Sequence, residues 1–375
     1  MSNLESRPAE RVCTAAPPDG TGRVEILEHR DVPLGGTRAM RVRRTIPQRA
    51  RSLVGAWCFL DHYGPDPLPA IGDGTDGMQV PPHPHTGLQT VSWLFAGEIT
   101  HRDSVGSLQT VRPGELNLMT AGRGISHSEE TPRGERPPVL HGVQLWVALP
   151  GDRLADPPAF EHHADLPVGG VDGARVQVFL GALGVAGVEL RSPATTYSPI
   201  VGAQLDLEPG ARASLDVDTS FEHALLVDDG AVRFEGTDVP VSSLAYVAPG
   251  RATLTVEAGG DAPARVVLVG GEPFAEDIVM WWNFVGRSHD DVVQARADWQ
   301  AQLVVADAGP DEDPSHAPGA GSVSRPSTGP RQGGTRYADG AASGRYGQVV
   351  GYDGGPLPAP VLPDVRLRPR TRPAR

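Results

Sequence analysis

The chain has 375 residues, and its 46 glycines and 37 prolines make up roughly 22 % of it against about 12 % in an average protein, which excludes a fold of mostly long helices. A formal net charge of −13 repels a phosphate backbone, so direct nucleic-acid binding is not expected. No apolar run approaches the ~18 residues of a membrane span, and residues 1–12 lack the apolar core of a signal peptide, so no membrane association and a cytoplasmic location are expected.

Residues 1–22 read as an N-terminal extension. Residues 23–150 carry short β-rich runs such as Gln89-Thr-Val-Ser-Trp-Leu-Phe95, broken by Gly, Pro or Asp at the spacing of a β-sandwich or barrel. Six arginines fall between Arg38 and Arg51, alternating with Met40, Val42 and Ile46, and are expected on an exposed polar face. Cys13 and Cys58 have no redox-pair spacing and read as ordinary thiols. Residues 151–170, with Pro157, Pro158, His162 and His163, read as a linker.

The β texture returns over 171–287. Leu94-Phe-Ala-Gly97-Glu-Ile99 followed by Pro113-Gly114 is echoed by Leu226-Val-Asp-Asp-Gly230-Ala-Val232 followed by Pro249-Gly250. This weak repeat predicts two similar β-barrels in tandem. Ser288-His-Asp-Asp291 fits a capping box, with Val292, Val293, Arg296 and Trp299 at near-helical spacing, so a helix is expected over 288–304. Trp281, Trp282 and Phe284 are expected in a shared interface or in the core beneath that helix. The tail, 305–375, is rich in Pro and Gly: residues 309–375 hold 23 of them, and 309–336 reads as disordered. Tyr346 to Leu367 has enough apolar residues to dock back as an extended strap. The arginines from Arg366 to Arg375 would suit a binding partner.

The chemistry-bearing pattern is His83-Pro-His85, followed by His127-Ser-Glu129. Side chains at i and i+2 of a strand project to one face, so two adjacent strands would converge three imidazoles and one carboxylate. Nitrogen and oxygen donors without thiolate suit a divalent transition metal and leave coordination positions open. His62, His101 and His141 have hydrogen-bonding roles by preference, and Arg123, between glycines, could meet a substrate oxyanion. In the second barrel, 171–287, the only histidine, His223, adjoins Glu222; neighbours on a strand face opposite sides, so no metal is expected there.

Four stretches, Phe59-Leu-Asp-His-Tyr-Gly-Pro65, Pro82-His-Pro-His85-Thr-Gly-Leu-Gln89, Met119-Thr-Ala-Gly-Arg-Gly-Ile-Ser-His127-Ser-Glu129 and Gln144-Leu-Trp-Val-Ala-Leu-Pro150, together with Gly270-Gly-Glu-Pro273, resemble the pirins. Pirins are bicupins of the cupin superfamily, and the likeness spans about residues 23–305. Pro356-Leu-Pro-Ala-Pro360 resembles the end of actinobacterial-type members.

The resemblance implies an all-β fold of two double-stranded β-barrels (cupin or jelly-roll), the first metal-binding and the second metal-free. It implies one Fe(II) per chain, held by His83, His85, His127 and Glu129, with other divalent transition metals able to replace it. The general cupin pattern puts a glutamate four residues after the second His; here that position is Gln89, so Glu129 is the expected carboxylate and Gln89 is expected to orient a ligand imidazole. Two functions follow from the resemblance. One is a quercetin 2,3-dioxygenase-type oxidoreductase acting on a flavonol-like aromatic, with Glu129 as catalytic base. The other is a non-enzymatic, iron-dependent regulator that binds a transcription factor or a metabolic enzyme. A monomer is expected.

Overall fold

The computed structural model describes residues 11–13, 22–34, 40–67, 77–132, 138–305 and 334–367. The first half builds two antiparallel sheets. A seven-stranded sheet runs in the order Ala159–His163, Leu116–Thr120, Leu88–Ala96, Val139–Ala148, Trp57–Pro67, Met40–Ile46, Arg30–Leu34. A four-stranded sheet runs Gln79–His85, Ile125–Glu130, Ile99–Asp103, Leu108–Val111. They close on each other over Val42, Tyr63, Leu94 and Leu140 from one sheet and Val80, Ile99 and Val111 from the other.

The second half forms a twelve-stranded sheet folded around its own core, one of whose edge strands, Glu25–Leu27, comes from the N-terminal part of the chain and pairs with Leu244–Val247. Its alternation is plain in Arg212–Asp216, where Ala213 and Leu215 are buried while Arg212, Ser214 and Asp216 are exposed. The sequence echo lands on equivalent turns. Gly97 and Gly230 each end a strand at positive φ, +91° and +85°, a conformation that side-chain-bearing residues rarely adopt.

The two barrels share a large apolar seam. Trp57 and Trp93 from the first half meet Phe179 from the second, in one apolar cluster with Leu145, Ile200, Val267 and Val269. Trp93 stacks on Phe179 at 4.8 Å, and its indole N–H donates to Gln204 Oε1 at 2.8 Å. Strand Leu88–Ala96 is therefore covered on both sides: Val91 and Trp93 turn to the seam, and Leu94 turns to the barrel interior.

Several expectations change here. The 151–170 segment is not a bare linker, because Ala159–His163 adds an edge strand to the seven-stranded sheet and His162 Nδ1 lies 2.8 Å from Asn117 Oδ1. Of the arginines of Arg38–Arg51, Arg38 lies outside the described residues and the others do not share one exposed face. Arg44 is 3 % exposed and makes two hydrogen bonds to the buried Asp61, at 2.6 and 2.8 Å. Arg51 is buried against the Tyr246 ring and bonded to Glu25.

The helix is His289–Ala301, with Ser288 as its N-cap and a complete capping box to Asp291. It ends before residue 304 because Leu303–Val305 leaves to pair with Thr335–Tyr337. Trp281, Trp282 and Phe284 lie beneath this helix with Val292, Trp299 and Tyr346. Of the segment expected to be disordered, 309–333 lies outside the described residues, while Thr335 and Arg336 belong to that strand. The strap docks as expected: Trp299 Nε1 donates to Leu357 O at 2.8 Å, and Leu367 is 1 % exposed. Of the C-terminal arginines, Arg366 pairs with Asp290 and the rest lie outside the described residues. Among the described residues no helix is long and apolar enough to cross a membrane.

Candidate metal centre

Gln79–His85 and Ile125–Glu130 are antiparallel neighbours, and their register sets His127 opposite His83 and Ile125 opposite His85. The ring centroids of His83 and His127 are 4.3 Å apart, and each is 5.0 Å from that of His85. One nitrogen from each of the three lies within 4.8 Å of the others, and all three residues are 0 % exposed. Glu129, 1 % exposed, forms a second group of this kind with His127 and His101; His127 belongs to both. A register shift between His127 and Glu129 separates the two.

Hydrogen bonding decides which nitrogens are available. His83 Nδ1 is 2.8 Å from Pro81 O, so it carries the proton and donates, which leaves Nε2 as a lone pair. His101 Nε2 is 3.0 Å from Asp103 Oδ2, and a carboxylate only accepts, so His101 Nδ1 is the acceptor for His127 Nδ1–H at 3.3 Å. Nε2 of His83 and of His127 are buried with no partner, and the buried His85 ring has only the Asn283 backbone to bond with one of its two nitrogens. Three inward lone pairs without donors are a costly arrangement by themselves and fit a cation bound by imidazole. Burial pushes His83 down to about 3 and holds His85 and His127 well below the ordinary histidine range, the latter two further lowered by the neighbouring His83. The cluster therefore stays neutral, the form that ligates metal.

Around it, Ser92 Oγ lies 3.1 Å from Glu129 Oε1 and 3.1 Å from Gln144 Oε1. Trp146 packs edge-on to His85 at 5.2 Å. The buried Tyr63 hydroxyl is held protonated by burial and by the Glu129 charge.

The other expected residues lie elsewhere. Gln89 donates to Thr120 Oγ1 at 3.0 Å and Thr195 O at 3.2 Å, not to a ligand imidazole. The reason is strand parity: Gln89 shares the seam-facing side of its strand with Val91 and Trp93, whereas Ser92 takes the interior side. Arg123 is exposed on its turn, where its carbonyl accepts from Arg345. His62 and His141 meet at the seam on Asp228 of the second barrel, 2.7 and 2.6 Å from its Oδ1. This trio is a poor cation site, because Arg43 Nη2 lies 3.3 Å from both ring nitrogens of His62 and Arg265 Nη1 is 3.4 Å from Asp228 Oδ2. In the second barrel His223 is buried with neither nitrogen partnered, and no group of metal-ligand donors forms around it among the described residues.

Sequence reasoning missed Ser92, Gln144 and Tyr63, whose interior positions depend on strand pairing. Asp103 stood two residues from His101, the spacing that puts both on one face.

Two fused double-stranded β-barrels, the first with a buried histidine cluster and the second without one, define a bicupin. The chain belongs to the pirin family: the Pirin model matches residues 38–147, and the Pirin C-terminal cupin domain model matches residues 202–304. A pirin-like protein of Caulobacter vibrioides is 40 % identical over 269 residues, covering 69 % of this chain and 88 % of that protein. Pirin of Homo sapiens is 31 % identical over 228 residues, 59 % of this chain and 76 % of that one. The crystal structure of a quercetin 2,3-dioxygenase from Acinetobacter baumannii is 32 % identical and covers 92 % of this chain and 98 % of that one, with a TM-score of 0.73.

Proposed function

We propose that this protein is an iron-dependent dioxygenase of the quercetin 2,3-dioxygenase type, acting on a flavonol-like aromatic inside the first cupin. The observation that carries this reading is the set of buried, unpartnered imidazole nitrogens on His83, His85 and His127. The similarity to the Acinetobacter baumannii quercetin 2,3-dioxygenase supports the substrate class. His83, His85, His127 and Glu129 would hold Fe(II). When bound, the metal supplies a Lewis acid for an acidic hydroxyl and a redox partner for dioxygen.

This chain's own residues do the rest. The three neutral imidazoles hold position without competing for the proton. Glu129 accepts the proton of the substrate's 3-hydroxyl, and Ser92 beside Oε1 restrains the carboxylate as its charge changes. Buried Trp146 and Tyr63 keep water from the proton-transfer path.

The test is anaerobic loading with Fe(II), followed by oxygen uptake with and without quercetin. Quercetin-dependent uptake that disappears in His83→Ala is the expected result. Uptake indifferent to quercetin, or unchanged in His83→Ala, overturns the reading.

A further inference from the structure

We propose that the C-terminal segment Arg345–Leu357 is a positioning strap for the metal centre, and that its attachment sets the centre's affinity for metal. This inference rests on the metal-centre reading above.

The strap is bonded to both strands that carry the histidine cluster, at the residue just before the first histidine of each. Ser126, which precedes His127, donates from its backbone N and from its Oγ to Tyr346 O, both at 3.0 Å. Pro82, which precedes His83, accepts from Leu357 N at 2.8 Å. The sequence makes such cover necessary. Gln79–His85 is the edge of its sheet, and Pro81, Pro82 and Pro84 cannot donate, so the strand's outward carbonyls need a donor from outside the sheet.

The strap is held in turn by the helix region. Tyr346 N donates to Gln302 Oε1 at 3.0 Å, and the Tyr346 hydroxyl donates to Ala295 O at 2.8 Å. The Tyr346 ring sits 5.5 Å from that of Trp299 and 6.1 Å from that of Phe284. Gly347, at φ +61°, lets the chain close on Ser104, where an added Cβ would stand 2.7 Å from that of Ser104. Helix, strap and the two strands thus form one hydrogen-bonded unit. The distance between His83 and His127, set by the pairing of those strands, is braced from outside by a segment more than 200 residues away in sequence.

The experiment uses Ni(II), added alone as a redox-silent probe, in competition with a chelator. It compares the full chain, Leu357→Pro, and a chain ending at Tyr337, each with a melting curve of the metal-free protein. Leu357→Pro removes the N–H bonded to Pro82 and suits the extended Pro356–Pro358 run. The truncated chain is expected to bind Ni(II) about 10- to 100-fold more weakly and to release it faster, the cost typical of removing outer support from a metal site. Leu357→Pro is expected to weaken binding about fivefold, as for one lost hydrogen bond. A strap that only stabilises the fold would lower the melting temperature and leave the affinity well below that transition unchanged. Wild-type affinity in Leu357→Pro and in a folded truncated chain overturns the strap alone. If the truncated chain does not fold, Leu357→Pro decides by itself. No Ni(II) binding by the full chain overturns the metal-centre reading and the strap with it.

Discussion

His101 and His127 meet Nδ1 to Nδ1 at 3.3 Å, and the bond has one direction only, because Asp103 takes the proton of His101 at the far nitrogen. Asp103 is itself fixed, its Oδ1 accepting from the backbone N–H groups of Val105 and Ser107. A carboxylate in a tight turn thus sets the tautomer of His127 through an intervening ring. His101→Phe keeps the stacking on Phe160, now at 4.5 Å, but removes the acceptor. Metal affinity is expected to fall about 10- to 100-fold, measured by chelator competition. Wild-type affinity in this variant rules the relay out.

Glu129→Gln retains shape and a neutral oxygen donor but cannot take up a proton. Metal binding is expected to weaken yet stay measurable, while quercetin-dependent oxygen uptake falls by about 100-fold or more, the scale of a lost general base. Full turnover with Glu129→Gln would remove Glu129 from the proton-accepting role.

His223 gives the second barrel a pH dependence of its own. Burial pushes its pKa from 6.5 down to about 4, against the opposing attraction of Asp218. The folded state thus binds fewer protons than the unfolded chain. The stabilisation is complete above pH 6.5 and is lost as pH falls toward 4. At pH 5 this one group costs about 2 kcal/mol relative to neutral pH. Because neither ring nitrogen is partnered, His223→Leu should lose less stability between pH 7 and 5 than the parent. Urea unfolding at the two pH values checks this, and identical losses would show that His223 does not titrate with folding.

Asp61→Ala leaves the Arg44 guanidinium buried over Phe59, 4.3 Å from the ring centre, without its bidentate partner. The expected destabilisation is about 3–5 kcal/mol by denaturant unfolding, as for one half of a buried ion pair. A loss below about 1 kcal/mol would mean that water reaches Arg44.

The parts of this molecule legible in the sequence are those governed by short-range periodicity. His83 and His85 share a strand face because they stand two apart. Ser288 caps the helix because Asp291 stands three residues on, and Gly97 and Gly230 mark matching turns because their φ values are positive. Gln89 went astray because the cupin spacing pointed to the site while strand parity turned the side chain to the seam. The arginines of 38–51 alternate with apolar residues like an exposed face, yet Arg44 is buried because Asp61 waits on the next strand.

The sequence by itself determined the pattern of two β-barrels, the histidine pairs and their family. These follow from side chains within a few residues of one another, where backbone geometry alone sets which face each takes. Only the tertiary structure decided which lone pairs remain open, since His127 depends on His101 and Asp103 across a strand pair. It also decided that a Pro- and Gly-rich tail braces both histidine strands, because that contact joins residues hundreds of positions apart and no local period encodes it.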